Sequence, residues 1–148
     1  MNIYNTTNDS IPMTIHLSFP EFPEYWKRTS EEYATASDAI RRLEELEREY
    51  LQTKGTHVCV NLEKTADDVM TVGLAGTRWL LIHTLGVDEQ YYSRGGSEIK
   101  GETHFMTPEG VDFSNSHLLP VTIAKEVLTR WISDDIEHDT AMWTTKMA

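Results

Sequence analysis

Hydrophobic residues in this chain change period twice, and the order of the changes restricts the fold. Met13, Ile15, Leu17 and Phe19 alternate with polar residues, a period of two that predicts a half-buried strand. From about Ser37 the period becomes helical. Ile40, Leu43, Leu46, Tyr50 and the stem of Glu47 fall on one stripe of a helix, with Ser37 as N-cap, Asp38 in its first turn and Gly55 just beyond its end. Period two then returns. Val58, Val60 and Leu62 lie opposite His57, Cys59 and Asn61, and Asp67-Asp68 is expected to turn the chain into Val69 to Leu74. Ala75-Gly76 predicts a hairpin to Arg78–Leu85. There Trp79, Leu81, His83 and Leu85 share one face and Leu80 and Ile82 the other, the pattern of a central strand covered on both sides.

The remainder is shorter and more broken. Pro20 and Pro23 end the first strand and begin a turn-rich connector containing Tyr25 and Trp26. Tyr91-Tyr92-Ser93 and Glu102 to Met106 predict two short strands, separated by the loop Arg94-Gly95-Gly96-Ser97. Pro108-Glu109-Gly110 is turn chemistry, and Val111 to His117 is expected to be irregular. Pro120 suits the first turn of a second helix, whose stripe is Ile123, Ala124, Val127, Leu128, Trp131 and Ile132, closed by Asp134-Asp135. Met142 and Trp143 belong to a last short strand within Thr140 to Thr145. Runs of strands with segregated helices predict an α+β fold: a mainly antiparallel sheet with two principal helices packed on it. The 148 residues fit one domain, 1–148, with a loosely ordered N-terminus over 1–10.

Charge narrows the partners. The chain carries 13 Lys and Arg against 24 Asp and Glu, a net charge of -11. This argues against direct binding to nucleic acid or to an anionic membrane, and favours a basic protein partner. No transmembrane span or signal peptide is evident, and a single cysteine fits a reducing compartment, so a cytoplasmic location is expected.

Reactive motifs are sparse. His57 and Cys59 share a strand face and suit zinc chemically, but no second closely spaced ligand pair accompanies them. No nucleophile elbow, phosphate loop or metalloprotease helix occurs. The Gly95-Gly96 loop has N–H groups that could face an anion, but lacks the strand and helix context of such loops. The expectation is therefore no catalytic residue, no metal and no cofactor. Trp79, Trp131 and Trp143 are assigned to the core. Acids are unevenly spread: residues 101–148 hold eight against three Lys and Arg. An acid excess beside Tyr91, Tyr92, Phe105 and Phe113 suits a binder of a basic protein, with aromatics as anchors and acids as steering charges. The expected contact residues are Glu89, Tyr92, Arg94, Glu98, Glu102 and Asp112.

Several stretches carry a family resemblance. Tyr91-Tyr92-Ser93-Arg94-Gly95-Gly96, then Gly101-Glu102-Thr103-His104-Phe105, then Leu118-Leu119-Pro120-Val121-Thr122-Ile123-Ala124, then Trp143, together resemble a bacterial immunity-protein family. It is the family numbered first among those of polymorphic toxins, typically encoded beside toxins with nucleic-acid deaminase domains. The hairpin ending in Trp79-Leu80-Leu81-Ile82 is compatible, and the resemblance covers roughly residues 55–145. Members often carry Arg-Pro shortly before the last tryptophan, where this chain has Asp134 to Asp139. The resemblance implies an α+β fold, no catalysis, and neutralisation of a cognate toxin by covering its active site. Two other readings stay open. One is a small cytosolic enzyme or ligand-binding domain using Cys59 or a histidine in a pocket lined by His57 and His83. The other is an acidic interaction module of unrelated lineage.

Overall fold

A computed structural model describes residues 14–21, 24, 27–107, 110–133 and 136–148. The architecture is α+β, as the order of periods predicts. The strands are β1 (Ile15–Pro20), β2 (Arg28–Tyr33), β3 (His57–Thr65), β4 (Asp68–Ala75), β5 (Arg78–Leu85), β6 (Glu89–Ser93), β7 (Glu102–Met106), β8 (Val111–Ser114), β9 (Leu118–Pro120) and β10 (Trp143–Thr144). The helices are α1 (Ala36–Thr53) and α2 (Val121–Ser133). The strands run β10-β6-β5-β4-β3-β1-β2 across the sheet, all antiparallel. β9 lies beside the first residues of β5, and β7 runs parallel to the start of β3.

The alternating residues of β3, β4 and β5 supply two cores on opposite faces of one sheet. On one face Val58, Val60, Leu62, Met70, Val72, Leu74, Trp79 and Leu81 pack under α1 and α2. Ile40, Leu43, Leu46 and Tyr50 of α1 and Ala124, Val127, Leu128, Trp131 and Ile132 of α2 close this core. The helical stripes are therefore the faces expected, except that Ile123 sits at the margin and is 38% exposed. On the other face the β7–β8 ribbon leaves the sheet at β3 and lays Phe105 and Phe113 over Cys59, Leu80 and Ile82. Trp79, Trp131 and Trp143 are all buried in the helix-covered core.

Local differences have local causes. Thr35, not Ser37, caps α1, because its Oγ1 accepts from the Asp38 N–H at 3.1 Å. The turn between β3 and β4 is Ala66-Asp67, and Asp68 already belongs to β4. Val111 to Ser114 is a strand rather than irregular, since Phe113 faces the second core while Asp112 faces solvent. β2 has too little apolar residue to register as a strand by period; it is an edge whose Glu31 receives both Nε and Nη2 of Arg42 from α1. Expectations for residues 1–10, Met13, Pro23, Tyr25, Trp26, Pro108-Glu109 and Asp134-Asp135 lie outside the described residues.

Candidate protein-binding surface

At the end of the helix-covered face the apolar stripe of β5 gives way to a polar clamp. His83 stands where the stripe would place another aliphatic residue, and it is 3% exposed. The Asp68 carboxylate, an acceptor only, takes hydrogen bonds from His83 Nε2 at 2.7 Å and Trp131 Nε1 at 2.9 Å. His83 Nδ1 is thereby left to accept from His138 Nε2, 2.7 Å away. His138 stacks on Tyr91 with ring centroids 3.6 Å apart and meets Trp143 edge-on at 5.4 Å. Lys64 donates to the Trp131 carbonyl at 2.6 Å and lies 3.9 Å from Asp68 Oδ2.

These bonds join β4, β5, α2 and the segment after α2. Burial tends to raise the Asp68 pKa, but hydrogen bonds from His83 and Trp131 outweigh it and hold the carboxyl below its ordinary range. Partial burial and the neighbouring His83 lower the His138 pKa, favouring the neutral ring. Both nitrogens of His83 are engaged, so the clamp holds geometry rather than offering a free base.

The clamp supports an exposed tip. The β3–β4 and β5–β6 turns meet where the Gly86 N–H donates to the Asp67 carbonyl at 2.8 Å. Gly86 has φ +64, a left-handed conformation that suits glycine in this three-residue connection. The following Val87 is 96% exposed. Asp67, Asp88 and Glu89 surround this tip, and none forms an ion pair among the described residues. A depression of about 300 Å³ adjoins it, lined by Asp88, Glu89, Gln90, Tyr91, Tyr92 and Thr145.

The six contact residues expected from sequence divide among three places. Glu89 and Tyr92 border the depression beside the tip. Their side chains alternate across β6: Tyr91 packs against the helix-covered core and Tyr92 against the ribbon-covered one. Arg94 and Glu98 line a separate cleft of about 510 Å³ with His117 and Lys146. Glu102 and Asp112 are exposed on the ribbon, where His104 Nδ1 lies 2.6 Å from Asp112 Oδ1. Phe105 and Phe113 are core residues and cannot serve as surface anchors.

Two chemical expectations change with this placement. His57 and His83 lie on opposite faces, beside Phe105 and Trp131 respectively, so they do not line a common pocket. Cys59 borders a small cavity of about 240 Å³, but burial pushes its thiol up to about 12, leaving it protonated at neutral pH. The Gly95 and Gly96 N–H groups both donate to the Ser116 carbonyl, at 2.7 and 3.1 Å, and are unavailable to an anion. Gly95 is needed for close approach: a Cβ there would stand 1.9 Å from the Leu118 carbonyl oxygen.

Sequence reasoning missed Asp67, Val87 and Asp88, whose signal was an apolar residue between Gly86 and acids in a hairpin loop. It also missed the Asp68–His83–His138 clamp, signalled only by one histidine in an apolar stripe. No group of three or more His, Cys, Asp or Glu among the described residues is arranged to hold a metal. No helix among them is long and apolar enough to cross a membrane. Comparison with family models, curated proteins and solved structures finds no match to this chain.

Proposed function

We propose that this chain is an immunity-type inhibitor that acts in the cytoplasm. It binds a basic protein toxin of the nucleic-acid deaminase class and neutralises it by covering the active site, without catalysis of its own. The observation carrying this reading is the tip at Val87, where a 96% exposed apolar side chain is followed by Asp88 and Glu89 and the adjoining turn brings in Asp67, none of the three in an ion pair among the described residues. An enzyme acting on nucleic acid needs a basic approach to its substrate, and acids clustered around an apolar contact are complementary to that approach. The net charge of -11 extends the attraction beyond contact distance and speeds encounter. The resemblance of residues 55–145 to an immunity family supports the same reading.

Co-expression with the toxin encoded by the adjacent gene tests it. Growth is rescued and the two proteins co-purify if the chain is the cognate inhibitor. Absence of both rescue and co-purification overturns the proposal. Association with the same toxin slows as salt is raised, because the steering charges are exposed. The protonated Cys59 thiol and the separation of His57 from His83 weigh against the enzyme reading.

A further inference from the structure

The outer side of β6 is only half covered. β10 pairs with Ser93 and Tyr92, and its register ends at Thr144↔Tyr92. The Arg94 N–H donates to the Met142 carbonyl at 2.7 Å, so backbone alternation directs the N–H and C=O groups of Tyr92 and Gln90 to that same side. Gln90 is past the last β10 pair, and no strand lies on that side of it among the described residues. The depression bordered by Asp88, Glu89, Gln90, Tyr91, Tyr92 and Thr145 runs beside this free edge. Val87, next to Asp88 in the chain, is exposed.

The opposite edge of the sheet differs. On β2, Glu31 is held by Arg42 and by the Tyr33 hydroxyl, and Arg28 and Glu32 place both charge signs along the strand. Mixed charge of this kind hinders addition of another strand. β6 carries one charge, Glu89, preceded by Asp88 at the open end, while Arg94 follows at the end that β10 covers. Among the described residues Glu89 accepts from the neutral Tyr91 hydroxyl, at 2.9 Å, and neither Glu89 nor Asp88 has an ion-pair partner.

We propose that the free edge of β6 at Gln90 receives an extended, lysine- or arginine-rich segment of the protein partner as an added strand. The incoming backbone pairs with Gln90, its basic side chains meet Asp88 and Glu89, and an apolar side chain covers Val87. Backbone pairing supplies affinity and the alternating side chains supply selection. The choice of a basic occupant rests on the inhibitor reading above, whereas the open edge itself does not.

The test uses an end-capped peptide of alternating lysine and valine, with the full chain observed by amide hydrogen exchange. Exchange of the Gln90 N–H is expected to slow at least tenfold at saturating peptide, and a glutamate–valine peptide is expected to leave it unchanged. Gln90→Pro removes the outward donor without removing a backbone hydrogen bond to β5, although the 3.4 Å bond from Gln90 Nε2 to Thr84 Oγ1 is lost with the side chain, and it is expected to abolish capture. Asp88→Lys with Glu89→Lys reverses the charge and carries the test if the proline variant does not fold. Unchanged exchange at Gln90, protection at Arg28–Tyr33 instead, or equal protection by the acidic peptide overturns the proposal. Full growth rescue by a folded Gln90→Pro variant also overturns it, while leaving the inhibitor reading standing. Failure of the unaltered chain to rescue growth or to co-purify with the toxin, with Gln90 still protected by the basic peptide, overturns only the inhibitor reading.

Discussion

The two faces of the sheet are built from the same three strands, yet they are finished differently. The helix-covered face is broad, with three buried tryptophans and a polar clamp at one end. The ribbon-covered face is small: Cys59, Leu80, Ile82, Phe105, Phe113 and Leu118 form its core, bordered by an open cavity of about 240 Å³. Alternation along a strand supplies apolar residues to both faces, but the cover determines how much of each is removed from water. The helices make the first face the stability core, and the ribbon makes the second a local unit that can open more readily.

Side-chain truncation should separate the faces most strongly. Trp131→Ala is expected to cost about 3–5 kcal/mol, since it leaves a cavity under α2 and removes a donor to Asp68. Phe113→Ala should fall at the bottom of that range, about 3 kcal/mol, because its neighbours can relax into the adjoining cavity. Urea unfolding of both variants measures the difference, and equal losses would remove the distinction between the faces.

The clamp comes next in size. Asp68→Ala leaves the Nε2 of His83 and the Nε1 of Trp131 without their acceptor, at a cost of about 2–4 kcal/mol. Asp68→Asn keeps an acceptor oxygen and should lose less. On the ribbon side, Gly95→Ala forces a methyl against the Leu118 carbonyl and should cost about 1–3 kcal/mol, read as a lowered Tm.

Titration sharpens the comparison further, because the clamp lies on one face only. The folded state favours neutral His138, so the unfolded chain takes up that proton first as pH falls below about 6.5. Stability then declines until the folded pKa is passed, and His138→Asn should flatten this part of the profile. Asp68 has the opposite charge change: its contribution is present above about 3.9 and is lost as pH falls through its lowered folded value. Melting curves between pH 8 and 3 measure both slopes. The smallest effect is expected from Lys125→Ala, which breaks the half-buried 2.6 Å pair with Glu44 between the helices and should cost below about 1 kcal/mol.

Much of the fold was legible because burial on one face imposes a period. The stripes of α1 and α2, the two-sided pattern of β5 and the Ala75-Gly76 connection all follow from that rule. β2 was not legible because its residues are polar and its strand form comes from pairing with β1 and from the Arg42 contact. Of the contact residues expected from sequence, Glu89 and Tyr92 border the depression beside the tip, whereas Arg94 and Glu98 line a separate cleft and Glu102 and Asp112 lie on the ribbon; solvated charges leave no periodic signal from which such grouping could be read.

By itself the sequence determined the α+β class, the helix faces and the assignment of the three tryptophans to the interior, because each depends on local alternation of apolar and polar residues. Tertiary structure alone decided that the Asp67 turn meets the turn carrying Gly86 and Val87, that His83 meets Asp68 and His138, and that His57 lies on the far side of the sheet. Those relations join positions 15 to 55 residues apart along the chain. They depend on strand register and on the path of the segment after α2, which a hydrophobic period does not specify.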